Sequence, residues 1–210
     1  MSELEIKYLK NNITDIEMEY IKNHIPKRYA DSLKYQSIDA RNATLLAGIM
    51  IYNNLGVEEK DFKYNKLNKP YIDGGPYFNV SHSKDYIVFA KSEKKIGIDI
   101  EPIDEKNMCI ADYVFTDNEK EYVLNGNDNL SRIERLTKLW TIKESVFKAS
   151  GTEARIEPKD ILVPNDKRVE FFGEVYNIYT FKKFNHVITV SSLSKYADIE
   201  LVEDRVIYSK

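Results

Sequence analysis

The segment KKIGIDIEPID, residues 94–104, constrains the fold of this chain more than any other stretch. Its isoleucines recur at every second position, and consecutive side chains of a β-strand point to opposite faces. The segment is therefore predicted to form a strand whose isoleucine face packs in a core. The opposite face carries Gly97, Asp99 and Glu101.

The two carboxylates on that face need compensation. They would lie about 7 Å apart, where an effective dielectric constant near 20 gives a repulsion of about 2 to 3 kcal/mol. Three arrangements lower this cost: a solvated face, neighbouring basic side chains, or a hard divalent cation such as Mg²⁺. Solvation is the commonest for an isolated pair. Gly97 favours instead a strand that a ligand or another backbone approaches closely.

The clearest helix is predicted from Ser131 to about Ser150. Ser131 and Glu134 have the spacing of a capping box, and Gly151 suits the far end. At 100° per residue, apolar side chains form one stripe along this helix. The members of the stripe are Ile133, Leu136, Trp140 and Phe147.

Glu144 falls within this stripe or at its edge, where a surface glutamate is not expected. Lys148 follows at i+4, so a helix ion pair worth a few tenths of a kcal/mol is the simplest explanation. That pair does not explain a carboxylate beside Trp140, because an unpaired buried charge is too costly to keep ionised. A Mg²⁺ ion shared by Asp99, Glu101 and Glu144 would stabilise all three, and a nearby lysine suits a phosphate of the same ligand.

The rest of the chain predicts a mixture of helices and strands. Residues 39–55 predict a helix that begins at a cap on Asp39 and ends at Gly56. Residues 68–92 predict a hairpin, because Asp-Gly-Gly-Pro and Ser-Lys-Asp punctuate two strand-like runs.

Residues 115–124 predict a helix that is capped by Thr116 or Asp117. Beyond Ile156 three segments rich in β-branched and aromatic residues are candidate strands of a second sheet. They are VEFFGEVYNIYTF, HVITVSS and RVIYS.

Composition and charge limit the classes to which this protein can belong. The 210 residues suffice for one domain or two small lobes, and 42% hydrophobic residues with charges of both signs indicate a folded protein. A net charge of −3 argues against a general nucleic-acid binder, and Cys109, the only cysteine, argues against disulfides and cysteine-bound zinc. The charged segment MSELEIKYLK and the short apolar run at 43–52 predict no membrane segment and a cytoplasmic location.

Four motifs occur in a specific order: FNVSHS at 78–83, IGIDIE at 96–101, FTDNE at 115–119 and LWTIKESVFKASG at 139–151. Together they resemble the 4′-phosphopantetheinyl transferases, specifically the larger two-lobed kind that activates synthases and synthetases with acyl or peptidyl carrier domains. Each motif alone is common, whereas their order and spacing are specific. The resemblance covers residues 66–151 closely and the flanking residues loosely.

The resemblance implies an α+β fold of two similar α/β lobes related by a pseudo-twofold axis, with the active site in the cleft between them. The lobes are expected at 1–96 and 97–210. The implied reaction is Mg²⁺-dependent transfer of phosphopantetheine from coenzyme A to a serine of an acyl or peptidyl carrier protein, with release of adenosine 3′,5′-bisphosphate. Mn²⁺ is the alternative ion. We expect a monomer whose carrier contacts lie within 106–130; fatty-acid, polyketide and nonribosomal-peptide carriers present the same serine.

By this resemblance Asp99, Glu101 and Glu144 are the metal ligands, the same trio that the facing of their side chains predicts. Lys148 would stabilise the leaving phosphate. The attacking serine needs a base, for which Glu144 is the first candidate and Glu119 the second. Stabilisation of a helix N-terminus explains Glu119 equally well.

Coenzyme A would be bound by basic groups of the first lobe. His82, with Ser81 beside it, resembles the family histidine that contacts a phosphate of coenzyme A. Lys69 resembles the lysine of the family element Gly-Lys-Pro, although Asn68 replaces the glycine. The candidates for the 3′-phosphate, of which the two arginines are favoured, are Lys27, Arg28, Lys34 and Arg41.

Two other functions use the same features. A Mg²⁺-dependent phosphodiesterase or pyrophosphatase, for example one that hydrolyses coenzyme A, would need the same carboxylates and lysine with water as the nucleophile. A carrier-binding module with a decayed site is disfavoured, because all four residues are present. The sequence has no P-loop, G-x-G-x-x-G, H-E-x-x-H or paired C-x-x-C motif. It assigns no role to His24 or His186.

Overall fold

The computed structural model of the chain describes residues 2–66 and 69–204. It is an α+β fold, in which these residues form two four-stranded sheets and one two-stranded ribbon. The strand predicted from RVIYS, and Asn68 in the predicted coenzyme A loop, lie outside the described residues. No helix in the described ranges combines the length and the hydropathy that a bilayer crossing requires.

The elements alternate along the chain. The strands are β1 (Ser2–Lys10), β2 (Lys63–Tyr64), β3 (Pro70–Tyr71), β4 (Tyr77–His82), β5 (Tyr86–Ser92), β6 (Ile96–Pro102), β7 (Arg168–Phe171), β8 (Glu174–Lys183), β9 (His186–Ser192) and β10 (Tyr196–Glu203). The helices are α1 (Asp15–His24), α2 (Pro26–Ser32), α3 (Ile38–Leu55), α4 (Ala111–Val114), α5 (Asp117–Asn125) and α6 (Arg132–Ser150). Short 3₁₀ segments lie at Glu59–Asp61, Glu105–Ile110 and Pro158–Asp160.

The first sheet has the strand order β10-β1-β5-β4. Strands β4 and β5 form the predicted hairpin, in which Val80 pairs with Phe89. Strand β1 pairs antiparallel with β5 and parallel with β10. The last described strand therefore lies beside the first.

The second sheet has the order β6-β9-β8-β7, and all its strand pairs are antiparallel. It contains the strands predicted from VEFFGEVYNIYTF and HVITVSS. Strands β4 and β6 are edge strands of their own sheets and contact each other. The Ile98 N–H donates to Asn79 Oδ1 at 2.9 Å, so a side chain of one sheet satisfies the edge backbone of the other.

The isoleucine face of β6 is buried as predicted. Ile96, Ile98 and Ile100 pack with Ile6 of the first sheet and Val190 of the second in one hydrophobic cluster. Burial of each such side chain contributes about 2 kcal/mol. Because apolar residues from both sheets share this core, the other face of β6 is left for polar chemistry.

Helix α3 begins at Ile38, one residue before the predicted start. Its N-cap is Ser37, whose side chain accepts from the Ala40 N–H, and the prediction of Asp39 as the cap was wrong. Asp39 lies in the first turn, where a negative charge is also favourable. Gly56 ends the helix in the left-handed conformation with φ of 64°, as predicted. Helix α5 is capped by Thr116, one of the two predicted alternatives.

Helix α6 has the predicted capping box of Ser131 and Glu134. Its predicted apolar stripe is buried only at Leu136 and half-buried at its other three positions. The fully buried side instead carries hydroxyl side chains that face the second sheet. Thr141 Oγ1 lies 2.7 Å from Thr189 Oγ1, and Ser145 Oγ lies 2.6 Å from a serine hydroxyl of β9. Small side chains let the helix lie close to the sheet, and their hydroxyl groups satisfy one another there.

Gly97 is where α6 lies directly on β6. A Cβ atom at this position would lie 2.0 Å from Ser145 O and 2.5 Å from Ala149 N. The close approach that the sequence predicted at Gly97 is therefore that of a helix backbone.

We expect Gly97→Ala to lower the free energy of unfolding by at least about 3 kcal/mol, because the added methyl group overlaps backbone that cannot move independently. Gly56→Ala is the control: the space around it is open and only its left-handed φ opposes a side chain, so it should cost about 1 kcal/mol. Urea denaturation measures both values. Equal losses for the two variants would contradict the close packing of α6 on β6.

Candidate active site

The site forms where β4, β6 and α6 meet. Asp99 of β6 is 2% exposed, and its Oδ1 accepts from Lys148 Nζ at 2.5 Å and from Ser81 Oγ at 2.8 Å. Lys148 Nζ also lies 3.0 Å from Ser81 Oγ. Three predicted site residues from three distant motifs thus share one hydrogen-bonded cluster.

Lys148 does not form the simple helix pair with Glu144. It reaches from α6 to Asp99 instead, and its side chain is 25% exposed. The second carboxylate oxygen of Asp99, Oδ2, is buried and has no hydrogen-bond partner in the described part of the chain. Such an atom carries a desolvation cost that only a further donor or a cation would remove.

Glu101 lies on the same face of β6, next to Trp140 of α6. Trp140 Nε1 donates to Glu101 Oε1 at 3.4 Å. Burial and the negative charge of Asp99 raise the pKa of Glu101 to about 7, while Trp140 and Lys148 oppose the rise. The face that carries these carboxylates is therefore desolvated, and solvation does not explain the D-x-E pattern.

Glu144 completes the acidic group. Burial and Asp99 raise the pKa of its carboxyl, and Lys148 opposes the rise. Glu144 has no hydrogen-bond or ion-pair partner among residues 2–66 and 69–204. Asp99, Glu101 and Glu144 thus share one electrostatic neighbourhood.

These carboxylates are not prearranged around a common point. Within the described ranges no three histidine, cysteine or acidic side chains are positioned to hold a metal ion. One Asp99 oxygen is already bonded to Lys148. The unpartnered Asp99 Oδ2 and the two desolvated glutamates nevertheless have the donor chemistry that Mg²⁺ prefers, so the residues fit such an ion once their side chains turn.

A cleft extends from this cluster along the C-terminal end of α6. A cavity of about 240 Å³ is lined by Lys69, Phe78 and Lys148, and a second of about 390 Å³ continues past Lys69 to Tyr71 and Tyr77. Lys69 Nζ donates to Lys148 O at 2.5 Å. Burial, followed by the charge of Lys148, lowers the pKa of Lys69 to about 8. The cleft thus concentrates two lysines beside apolar walls.

His82 is the last residue of β4 and is exposed, whereas Ser81 before it points inward to Asp99. Desolvation and the positive charge of Lys148 lower the pKa of His82, and the negative charge of Asp99 opposes this shift. Both residues therefore belong to the same neighbourhood as the acidic group, on opposite faces of one strand.

The favoured arginines lie on the helices of the first sheet. Arg28 Nη2 donates to Tyr64 OH at 3.0 Å, and the Arg28 guanidinium lies 5.9 Å from the Phe62 ring centroid. Arg41 Nε is buried without a hydrogen-bond partner among the described residues. Lys34 pairs with Asp31. Binding of the 3′-phosphate by Arg28 and Arg41 stays a prediction.

Glu119 lies in a different cluster. It closes the capping box of α5, and its carboxylate accepts from Lys143 Nζ at 2.9 Å and from the Val163 N–H at 3.3 Å. It is bonded to neither Asp99 nor Lys148 in the described part of the chain. This geometry matches the structural explanation of Glu119, and its use as a base stays a prediction without a contact to support it.

Asn79 is a residue of the site that the sequence reasoning missed. It lies 6% exposed on β4 and bonds the backbone of β6 beside Asp99. A signal was present, because Asn79 is a polar residue between Phe78 and Val80 in a strand-like run. It positions the two edge strands that carry the site.

Comparisons with known proteins agree with the motif order. The sequence model of the 4′-phosphopantetheinyl transferase superfamily matches residues 95–197. The chain is 34% identical over 125 residues to a 4′-phosphopantetheinyl transferase of Aneurinibacillus migulanus. This match covers 57% of this chain and 52% of the relative. It is 36% identical over 92 residues to a 4′-phosphopantetheinyl transferase of Bacillus subtilis. This match covers 43% of this chain and 41% of the relative.

A third relative comes from a vertebrate. The L-aminoadipate-semialdehyde dehydrogenase-phosphopantetheinyl transferase of Xenopus laevis is 31% identical over 98 residues, which covers 40% of this chain and 32% of the relative. The chain spans about half the length, or less, of these curated relatives. The similarity is therefore established for a part of each relative. The residues that the superfamily model matches contain β6 and α6.

The raised pKa of Glu101 predicts a pH transition near pH 7. Because the folded pKa exceeds the ordinary value of 4.5, Glu101 stabilises the fold below about pH 4.5, and about 2 to 3 kcal/mol is lost as the pH rises to about 7. Trp140 is the only tryptophan, so its fluorescence should follow the same transition. Glu101→Gln should abolish the transition, and Glu134→Gln in the first turn of α6 should not. A transition that persists in Glu101→Gln would assign it to another group.

Proposed function

This chain is a member of the 4′-phosphopantetheinyl transferase superfamily through its residues 95–197, and we propose that it transfers phosphopantetheine from coenzyme A to a carrier-protein serine. The leaving group is adenosine 3′,5′-bisphosphate. One observation carries the proposal: Asp99, Glu101, Glu144 and Lys148, from two separate motifs, meet beside a cleft. The relatives' activity supports it by analogy.

We propose that Asp99, Glu101 and Glu144 hold Mg²⁺, or Mn²⁺ in its place. Support comes from the unpartnered Asp99 Oδ2 and from the raised pKa values of both glutamates, because each signals negative charge without enough compensation. When bound, the ion would supply charge neutralisation for the pyrophosphate of coenzyme A.

The protein's own groups then have distinct tasks. Lys148 and Lys69, which line the cleft, donate to phosphate oxygens, and His82, which interacts electrostatically with Lys148, contacts a phosphate. The carrier serine is a weak nucleophile until its proton is removed. Glu144 is the proposed proton acceptor, because a carboxylate has two oxygens and no hydrogen-bond or ion-pair partner in the described residues competes for the one that does not hold the ion. Glu119 would act only after leaving Lys143.

We also propose two similar lobes, at 1–96 and 97–210. Each would contain a strand, a long helix and a hairpin: β1, α3, β4 and β5 in the first lobe and β6, α6, β8 and β9 in the second. The strand orders β1-β5-β4 and β6-β9-β8 correspond, and α3 and α6 both end at a left-handed glycine with φ of 64°. Strand β10 of the second unit returns to the first sheet.

A single copy would then contain both sides of the cleft, so we propose a monomer that acts in the cytoplasm. The cytoplasmic proposal rests on the single cysteine, Cys109. The partner would be an acyl or peptidyl carrier protein. Residues 106–130 support the docking proposal, because they contain exposed apolar side chains such as Tyr113 and Leu124.

We expect the chain to add one phosphopantetheine mass to at least one apo carrier protein when incubated with coenzyme A and Mg²⁺. Glu144→Gln and Lys148→Ala should lower the transfer rate at least about 100-fold, because each removes a group that acts on the developing charges. Mass spectrometry of a panel of acyl and peptidyl carriers measures the product. Glu134→Gln is the matched control, a carboxylate on the same helix but outside the cleft.

The alternative function is Mg²⁺-dependent hydrolysis of a nucleotide pyrophosphate. Its reaction uses the same four residues with water in place of the serine hydroxyl. Cleavage of coenzyme A without any carrier, and no mass gain on any carrier, would refute transfer and support the hydrolase.

Mg²⁺ should move the Trp140 fluorescence transition to lower pH, because a bound cation stabilises the ionised form of Glu101. Asp99→Asn should remove the effect of Mg²⁺ on the midpoint pH of this fluorescence transition, since a neutral amide binds the ion more weakly. NaCl at equal ionic strength controls for screening. An Mg²⁺ effect that is unchanged in Asp99→Asn would exclude Asp99 as a ligand.

A further inference from the structure

His186 is a buried titratable residue to which the proposed reaction assigns no task. It begins β9 and is 3% exposed. Its Nδ1 lies 2.8 Å from Phe184 O, and its Nε2 lies 3.1 Å from Ser83 Oγ. A carbonyl oxygen only accepts, so Nδ1 carries the hydrogen, and Nε2 of the neutral ring accepts from the serine hydroxyl.

The imidazole ring is held in place by its surroundings. The Tyr86 ring packs edge-on against it, with centroids 5.4 Å apart and planes at 83°, and Tyr86 stacks on Phe184 at 4.7 Å. Phe184 and Asn185 form a left-handed turn with φ of 54° and 57°. Ile103 N donates to Asn185 O at 2.9 Å, which ties the turn to the end of β6. The acceptor on His186 is therefore fixed to the second sheet.

Ser83, at the other end of the bond, organises the turn after β4. It is 7% exposed, and its N–H donates to Tyr86 O at 2.8 Å. Its Oγ accepts from the Tyr86 N–H at 3.2 Å and from the Asp85 N–H at 3.4 Å. The hydroxyl hydrogen has His186 Nε2 at 3.1 Å and Tyr86 O at 3.4 Å, so the imidazole is its nearer acceptor.

The bond completes a periodic series that runs along β4 and into the turn after it. Three alternate residues point to the second sheet, and each makes one hydrogen bond there: Asn79 to Ile98 N, Ser81 to Asp99 Oδ1, and Ser83 to His186 Nε2. His82 lies between the second and third of these anchors and is itself exposed. Its position is thus set by the backbone on both sides of it.

We infer that His186 is a positioning residue, which fixes the end of β4 through Ser83 and thereby sets where His82 stands beside the cleft. The inference rests on the proposed function in one respect, that His82 contacts a phosphate of coenzyme A. Among the described residues His186 makes no hydrogen bond to Asp99, Glu101 or Glu144. Its action is mechanical, through the hydrogen bond between Ser83 Oγ and Nε2; the Asp85 carboxylate of the same turn lies 3.8 Å from this nitrogen.

The expected effect follows from the strength of that bond. A net hydrogen bond of about 1 kcal/mol corresponds to about a fivefold change in an equilibrium constant. Misplacing a group that binds substrate in the ground state raises KM and leaves kcat unchanged. His186→Leu and Ser83→Ala should therefore each raise the KM for coenzyme A about fivefold. His186→Gln keeps a hydrogen-bond acceptor near the position of Nε2, so its KM for coenzyme A should stay close to that of the wild type.

The experiment combines kinetics with NMR spectroscopy. The chain has three histidines, so His24→Gln and His82→Gln assign their Cε1–H resonances. The His82 resonance should shift in His186→Leu and in Ser83→Ala, and the double variant should match the single ones because both remove the same bond. Tyr196→Phe is the control, since it removes the partly buried bond from Tyr196 OH to Ser92 Oγ at 2.7 Å.

The outcomes separate the two proposals. If His186→Leu and Ser83→Ala lose stability as Tyr196→Phe does, but leave KM and the His82 resonance unchanged, His186 is only structural and the inference fails. If the wild type neither binds nor transfers from coenzyme A, the proposed function fails. In that case a shifted His82 resonance still supports the control of His82 by His186, and an unshifted one refutes it.

Discussion

The packing of α6 on β6 is the contact on which the rest of the structure depends. It requires the absence of a side chain at Gly97 and small side chains on the facing side of the helix, including Thr141 and Ser145. Because the helix lies this close, Lys148 reaches Asp99 and Trp140 reaches Glu101. The geometry of the core and the electrostatics of the cleft therefore have one common cause.

That contact leaves the cleft with an excess of negative charge. Asp99, Glu101 and Glu144 are desolvated together, and Lys148 is the cation bonded to one of them in the described residues. Burial raises the pKa of both glutamates, which means that their ionised forms are under-compensated. A second cation would compete with Lys148 for Asp99 and would release the lysine toward the ligand. In the proposed function, binding of the ion and availability of the lysine would thereby be coupled.

Local patterns predicted much of this arrangement. Alternation in β6 separated the core face from the acidic face, and the capping box located α6, because both patterns depend on neighbours in sequence. The partner of Lys148 was not predictable, since the i+4 pair with Glu144 and the longer reach to Asp99 satisfy the same local pattern. Glu119 shows the same ambiguity: its spacing suits a base and a helix cap, and only the position of Lys143 separates the two.

The parallel pairing of β10 with β1 has a consequence for the order of folding. Residues 196–203 lie beside residues 2–8, so this part of the first sheet closes only when almost the whole described chain is available. During synthesis on the ribosome, β1 must remain without its parallel neighbour until β6 and α6 have emerged. Loop closure of this length makes the contact slow to form. The second sheet is more local, and we expect it to form first and to template the completion of the first.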